Sequence, residues 1–173
     1  YVPGTVSEVK GRVATVITAS GKAVEVDLEA PLRNPSAAKN EKVSKASAGE
    51  TLRLLPRSTL GPGGVNNMDD LENIHEAAVL DNCDKRFRLD KIYTNTGPIL
   101  IALNPFCWLP LYGEDVMRQY HSRPYGTLPP HVFAEAQAAF QRLHQGHNDQ
   151  AMVICGESGA GKTKTTKLIM QVK

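Results

Sequence analysis

The pattern of apolar and polar positions indicates short strands in the first third of the chain. Residues 13–18 are rich in β-branched side chains, and residues 24–28 alternate between apolar and acidic positions. This alternation is typical of strands with one face in water, and the Ser-Gly pair at 20–21 indicates the turn between them. Residues 52–54 repeat the alternation. The pattern therefore predicts a small all-β subdomain, a barrel or sandwich, over residues 1–55.

The pattern changes after residues 56–67, which hold two prolines and three glycines. Such a stretch sustains neither helix nor strand, so we predict a linker there.

Residues 68–173 then mix helical and strand patterns. The predicted elements are a helix capped by Asn67 that runs to about Phe87, paired strands at 92–94 and 98–103, and helices at 114–122 and from Pro129 to about Gly146. Because the strand at 98–103 is apolar on both faces, we expect both sides of its sheet to be covered.

A glycine-rich segment near the end of the chain carries the strongest chemical signal. The apolar residues 151–155 before it predict a buried strand, and residues 164–173 after it predict a helix. Strand, loop and helix in this order is the arrangement that a phosphate-binding loop requires. The segment matches the pattern G-x-x-x-x-G-K-[ST] over Gly156, Glu157, Ser158, Gly159, Ala160, Gly161, Lys162 and Thr163.

This segment has the chemistry of a polyphosphate site. Glycines let successive backbone N–H groups point into one concavity at a helix N-terminus, where the partial positive charge favours an anion. We expect Lys162 to reach the β- and γ-phosphates and the Thr163 hydroxyl to hold Mg²⁺. The sequence therefore predicts binding of a nucleoside triphosphate with magnesium.

Charge, hydropathy and cysteine content indicate the kind of protein in which this loop occurs. The net charge of +2 gives no indication of a nucleic-acid or membrane partner, and no apolar run reaches the roughly 18 residues of a membrane span. Cys83, Cys107 and Cys155 lack metal-ligand spacing, so we expect reduced thiols in a cytosolic protein. The chain starts without methionine and stops within a predicted helix. We therefore expect it to be part of a longer protein.

The eight-residue loop resembles that of myosin motor heads, and three further segments extend the resemblance in the order of that family. Residues 68–71 (Met-Asp-Asp-Leu) resemble the segment that opens the motor core. Residues 92–106 are similar to the paired strands that lead to the purine-binding loop, in which Asn-Pro is followed, after six residues, by Tyr. Residues 129–133 (Pro-Pro-His-Val-Phe) resemble the start of the helix before the phosphate loop. Residues 1–55 fit the SH3-like amino-terminal barrel of the family.

The resemblance implies a role for particular residues. Asn104, Pro105, Phe106 and Tyr112 would line the adenine side of a site for ATP, residues 156–163 would hold the phosphates, and Thr163 would hold Mg²⁺. No catalytic residue is assigned within this chain, because the family carries its second metal-holding Asp and its water-positioning groups on later loops.

Three positions depart from the family pattern. Cys107 stands where a basic residue is usual, and Lys164-Thr165 follow the loop where Glu-Asn is usual. A lysine in the first turn of a helix opposes the helix dipole by ~0.3–1 kcal/mol when the site is empty. We expect nucleotide affinity and exchange to differ from those of the usual motor.

The resemblance implies an incomplete α/β P-loop NTPase core over residues 68–173, preceded by the SH3-like barrel and the linker. It implies a cytoplasmic, cytoskeleton-associated motor ATPase that binds an actin filament, and possible light chains, through other parts of the protein, with no nucleic-acid partner. The 173-residue piece alone is expected to be inactive. Two alternatives stay open at this point: another P-loop NTPase, such as a kinase or GTPase, and a non-catalytic nucleotide-binding module.

Overall fold

The computed structural model describes residues 4–27, 60–146 and 148–172. The chain divides into two compact units, Tyr1–Pro56 and Arg57–Lys173. The predicted alternation at 52–54 lies outside the described residues. Within the described ranges, no helix combines the length and the apolar character needed to cross a bilayer.

The first unit contains a three-stranded antiparallel sheet in the order β1-β2-β3. Its strands are β1 (Gly4–Lys10), β2 (Val13–Thr18) and β3 (Ala23–Asp27). The predicted turn at 20–21 is confirmed, because the Gly21 N–H donates to the Thr18 carbonyl at 2.8 Å. Ala14, Val16 and Val26 are buried on one face, as the alternation requires. A small antiparallel sheet of this kind is consistent with an SH3-like subdomain.

The second unit begins with a single 3₁₀ turn where the sequence predicted a long helix. The turn covers Met68–Asp70, and its cap Asn67 accepts the N–H of Asp69 at 3.2 Å through its side-chain oxygen. The same oxygen accepts the N–H of Gly97 at 3.1 Å, so the turn is tied to a neighbouring hairpin. Leu71 then adopts an extended conformation with ψ 130°. The prediction of one helix from residue 68 is therefore wrong, because the chain leaves the helical conformation at Leu71.

The remaining elements follow in the predicted order. The first helix starts later than expected, after His75, whose Nδ1 accepts the N–H of Ala78 at 3.2 Å. The helices and strands are α1 (Glu76–Phe87), β4 (Tyr93–Thr96), β5 (Ile99–Ala102), α2 (Glu114–Ser122), α3 (Val132–Gly146) and α4 (Lys162–Ile169).

Strands β4 and β5 form an antiparallel hairpin, with Tyr93 opposite Ala102 and Thr96 opposite Ile99. The predicted pairing is confirmed. The expectation that both faces of this sheet are covered is met only in part: Leu100 packs against one core cluster and Ile101, on the opposite face, against the other, whereas Ile99 is 63% exposed.

Residues 151–155 form no strand in the structure, although the sequence predicted a buried one. Val153 is 85% exposed and Met152 is 39% exposed. The described strands of this unit, β4 and β5, form a sheet that does not include this segment. The prediction of burial is therefore wrong, because burial of a strand depends on neighbours that its own sequence does not supply.

Arg86 ties α1 to β4 from a buried position, with 2% of its surface exposed. Its guanidinium donates to the Thr94 hydroxyl at 2.8 Å, to the Tyr93 carbonyl at 2.7 Å and to the Asn66 side-chain oxygen at 2.9 Å. Burial lowers the pKa of Arg86, and nearby Cys83 opposes that shift. The three acceptors fix the start of β4, and with it the direction in which the hairpin leads to residue 104.

The main core of this unit lies between β4, α3 and α4. Its buried members are Ile92, Tyr93, Leu109, Val132, Phe133 and Leu168. Phe133 is fully buried at the start of α3, and Leu168 anchors the end of α4 at 3% exposure. This packing fixes α4, and therefore the loop that precedes α4, relative to the residues around Leu109.

Gly64 gives a stability prediction. It has φ +62°, and a Cβ there would overlap the side-chain oxygen of Asn82. Asn82 is fully buried and pairs with Val65 through both the backbone N–H, at 2.8 Å, and the carbonyl, at 3.2 Å. We expect Gly64→Ala to lower the free energy of opening of α1 by about 2–4 kcal/mol, because it adds left-handed strain and disrupts this buried pair. Amide hydrogen exchange of α1 measures that free energy.

Gly126 supplies the matched control for this substitution. It also has a positive φ, +84°, but its Cβ direction is open. Gly126→Ala should therefore cost only the backbone strain, about 1–2 kcal/mol, and should leave α1 exchange unchanged. Equal exchange of α1 in the Gly64→Ala protein and the unaltered protein would contradict the role given to the Asn82 pair.

Candidate functional site

The glycine-rich loop lies between residues 151–155 and the start of α4. Gly159 and Gly161 have φ +81° and +94°, in the left-handed region that side chains other than glycine rarely adopt. Gly161 is the N-cap of α4 and leaves the helix start without a side-chain cap. The first N–H groups of an α-helix have no intrahelical acceptor, so this helix start presents free donors to a ligand.

The ammonium group of Lys162 lies inside the loop. It donates to the carbonyl of Gly156 at 2.8 Å and to the carbonyl of Glu157 at 2.9 Å. The Glu157 carbonyl also accepts the N–H of Ala160 at 3.2 Å, which closes the turn. The loop carbonyls therefore hold the Lys162 ammonium beside the turn, and Lys162 is itself the first residue of α4. Ser158 and Thr163 are exposed at its surface.

A second loop meets the glycine-rich loop. The side-chain amide of Asn104 donates to the carbonyl of Gly159 at 2.7 Å, a contact between residues 55 positions apart in the chain. The Asn104 side-chain oxygen accepts the N–H of Phe106 at 3.0 Å, which turns the chain directly after β5. Phe106 has φ +51° and is 86% exposed, while Pro105 is half-buried.

The two loops border an open groove of about 430 Å³. This volume is within the range of small-molecule sites, roughly 300–1,000 Å³. The groove is lined by Phe87, Ala102, Leu103, Asn104, Phe106 and residues 157–160. The structure therefore brings two of the four predicted adenine-side residues, Asn104 and Phe106, together with the middle of the loop.

Tyr112 lies apart from that groove, on the core side of α4. Its hydroxyl is 3.0 Å from the hydroxyl of Tyr93, and its ring meets Phe133 edge-on at 6.3 Å between centroids. Burial raises the pKa of Tyr93, and the hydrogen bond with Tyr112 adds to the shift, so the Tyr93 hydroxyl stays protonated at neutral pH. The ammonium of Lys164 lies 5.9 Å from the centroid of the Tyr112 ring.

His131 is a residue of this region to which sequence reasoning gave no role. Its ring stacks on that of Tyr120 and meets that of Tyr93 edge-on, each with 4.9 Å between ring centroids. The centroid of the Tyr112 ring lies 5.8 Å away. Its Nδ1 accepts the N–H of Phe133 at 3.0 Å and so caps α3. Burial lowers the pKa of His131 to about 4, and the nearby backbone of Leu111 opposes that shift. The Pro-Pro-His motif was the available signal, but a motif does not reveal an aromatic environment.

Comparison with known proteins decides the family. The model of the myosin head (motor domain) matches residues 65–172. The chain belongs to the myosin head family. Both loops lie inside the matched region, so the resemblance seen in the sequence is confirmed.

Relatives of the myosin head family extend this likeness. The chain is 52% identical over 124 residues to Protein OPAQUE1 of Zea mays, which is 69% of this chain and 8% of that protein. It is 41% identical over 173 residues to Myosin-14 of Arabidopsis thaliana, covering 99% of this chain and 10% of that protein. It is 49% identical over 118 residues to Unconventional myosin-VIIb of Mus musculus, covering 68% of this chain and 6% of that protein. The chain thus spans a tenth or less of the length of these myosin relatives.

Proposed function

We propose that this chain forms the Mg–ATP-binding part of an actin-based motor ATPase. The observation that carries the proposal is the 2.7 Å hydrogen bond from Asn104 to Gly159, because it joins the predicted adenine side to the predicted phosphate loop. Membership in the myosin head family supports the same assignment. Asn104, Pro105, Phe106 and Tyr112 are proposed for the adenine side, and residues 156–163 for the phosphates.

The loop residues fit a magnesium-bound triphosphate. Lys162 now donates to two neutral carbonyls, and a phosphate would offer it charged acceptors, which form stronger hydrogen bonds. The uncapped start of α4 leaves N–H donors for phosphate oxygens. Thr163 is exposed in the first turn of α4, where its hydroxyl can hold Mg²⁺. The magnesium ion would supply neutralisation of the phosphate charge.

Hydrolysis and actin binding are assigned to other parts of the full-length protein. Phosphoryl transfer to water needs a second metal-holding carboxylate and a group that orients the water. We place these groups, the actin-binding surface and any light-chain site outside residues 1–173. We also propose that the hairpin and residues 151–155 belong to an α/β P-loop NTPase core, and that residues 1–55 form an SH3-like barrel joined to it by residues 56–67.

Competition between nucleotides tests the adenine side. Full-length protein should bind a fluorescent ATP analogue, and unlabelled ATP should displace it at a lower concentration than GTP does. The reason is that Asn104 and Phe106 stand beside the loop in a fixed geometry, so the base is held as well as the phosphates. Equal displacement by ATP and GTP would contradict the adenine assignment, and no binding of the analogue would contradict the nucleotide site itself.

The 173-residue chain gives a second test. We expect it to show no ATP turnover above background and fast amide exchange across Met152–Cys155. The structure leaves this segment without a strand partner and Val153 largely exposed, and unpaired strand edges are prone to associate with other chains. We place the strands that would flank this segment in other parts of the protein. ATP turnover by the 173-residue chain, or strong protection of the segment in a monodisperse monomer, would contradict that placement.

A further inference from the structure

Lys164 and Tyr112 meet although 52 positions separate them in the chain. The Lys164 ammonium lies 5.9 Å from the centroid of the Tyr112 ring, within the roughly 6 Å at which a cation is attracted to an aromatic face. Lys164 is four residues before Leu168, so the two share one face of α4. Leu168 is 3% exposed in the core cluster against which Tyr112 also packs. The side chain of Lys164 therefore extends along the face that α4 turns toward Tyr112.

The position of Lys164 is electrostatically unfavourable without a partner. It is the third residue of α4, where the positive end of the helix repels a cation, and Lys162 adds a second positive charge in the same turn. The negative face of an aromatic ring offsets this repulsion. Tyr112 offers that ring in a fixed orientation, because its hydroxyl is bonded to Tyr93 and its ring edge packs on Phe133.

We propose that Lys164 is a positioning residue: by holding Tyr112, at the far end of the second loop (residues 104–112), it ties that loop to the phosphate-loop helix, so that the adenine side and the phosphate loop are held as one unit. The proposal rests on the nucleotide site proposed above. Asn104 joins the two sides at Gly159, before α4, and Lys164 joins them again within α4. Lys164 acts through Tyr112 and not on the phosphates, so its effect should fall on ligands that carry a base.

A comparison of two ligands in the full-length protein separates these routes. Affinity is measured for ATP, which carries base and phosphates, and for inorganic tripolyphosphate, which carries phosphates alone. Lys164→Met should weaken ATP binding by about two- to fivefold, the value of an exposed cation–π contact, and leave tripolyphosphate binding unchanged. Lys164→Arg keeps the cation and should restore ATP binding. Lys167→Met removes an exposed charge from the same helix and should change neither affinity.

A double substitution identifies Tyr112 as the partner. Tyr112→Leu removes the ring, and once it is present Lys164→Met should cause no further loss of ATP affinity. Equal loss of ATP and tripolyphosphate affinity in Lys164→Met would overturn the proposal, because Lys164 would then act on the phosphates. Unchanged ATP affinity, or additive effects of the two substitutions, would also overturn it. If the unaltered protein binds neither ligand, the nucleotide site fails and not the coupling alone.

Discussion

Lys162→Ala should weaken ATP binding by about tenfold or more in the full-length protein. The Lys162 ammonium already lies in the loop, 2.8 Å and 2.9 Å from two carbonyl oxygens, so it need move little to meet a phosphate. A hydrogen bond that involves a charged group contributes about 1.5–3 kcal/mol, which corresponds to at least a tenfold change in affinity. Titration with a fluorescent ATP analogue measures this loss.

Lys167→Ala is the matched control for charge. Lys167 is exposed in the last turn of α4, five residues after Lys162. Its substitution by alanine removes the same formal charge from the other end of the helix. It should change ATP affinity by less than about twofold, because Lys167 lies in the last turn of α4, where its charge is exposed to water and water weakens its interaction with a ligand. If Lys162→Ala and Lys167→Ala have equal small effects, Lys162 is not a phosphate ligand.

Acidification should loosen α3 through His131. The folded-state pKa of about 4 lies below the ordinary value of 6.5, so the folded state favours the neutral ring. The contribution of the neutral His131 ring to the stability of the folded state is therefore fully present above pH 6.5. It is lost as the pH falls through 6.5 toward 4, because the unfolded state takes up a proton there and the folded state does not. A shift of this size corresponds to about 3 kcal/mol. We expect the free energy of opening of α3 to fall by about that amount between pH 7 and pH 4.

His131→Asn separates this effect from the titration of other groups. Asparagine is a good N-cap and can accept the N–H of Phe133 as His131 Nδ1 does, but it carries no titrating proton. Amide exchange of α3, corrected for the intrinsic pH dependence of exchange, should show a smaller loss of protection in the variant than in the unaltered protein. The same pH dependence in both proteins would show that His131 is not the group responsible.

Local sequence signals predicted the elements whose geometry is local. The glycine pattern of 156–161 placed both the loop and the start of α4, because positive φ angles at Gly159 and Gly161 depend on the missing side chains alone. The hairpin of β4 and β5 was also predictable, since two apolar runs flank a turn at Gly97.

Contacts between distant residues were not predictable in the same way. Nothing local marks Arg86 as buried, because its burial depends on acceptors from Asn66, Tyr93 and Thr94. The start of α1 was misplaced for a related reason: the side chain of Asn67 bonds to Gly97 as well as to its own turn, and His75 supplies the cap.

The candidate site was predicted as a set of residues but not as an arrangement. The motif spacing selected Asn104, Phe106 and Tyr112 together. The structure places Asn104 and Phe106 at the groove and Tyr112 beside α4, where Lys164 meets its ring. The sequence marks Lys164 only as a departure from the family pattern. Its contact with Tyr112 joins residues 52 positions apart, and the sequence around Lys164 does not indicate such a contact.

The claim that the two loops form one ATP site is tested most directly by amide hydrogen exchange of the full-length protein with and without a non-hydrolysable ATP analogue and Mg²⁺. We predict slower exchange in two separated segments at once, residues 158–164 of the phosphate loop and helix start and residues 104–112 of the second loop, because Asn104 joins them. Tripolyphosphate should slow exchange chiefly in the first segment. Tight binding of the analogue with protection in only one segment, or in neither, would contradict a shared site.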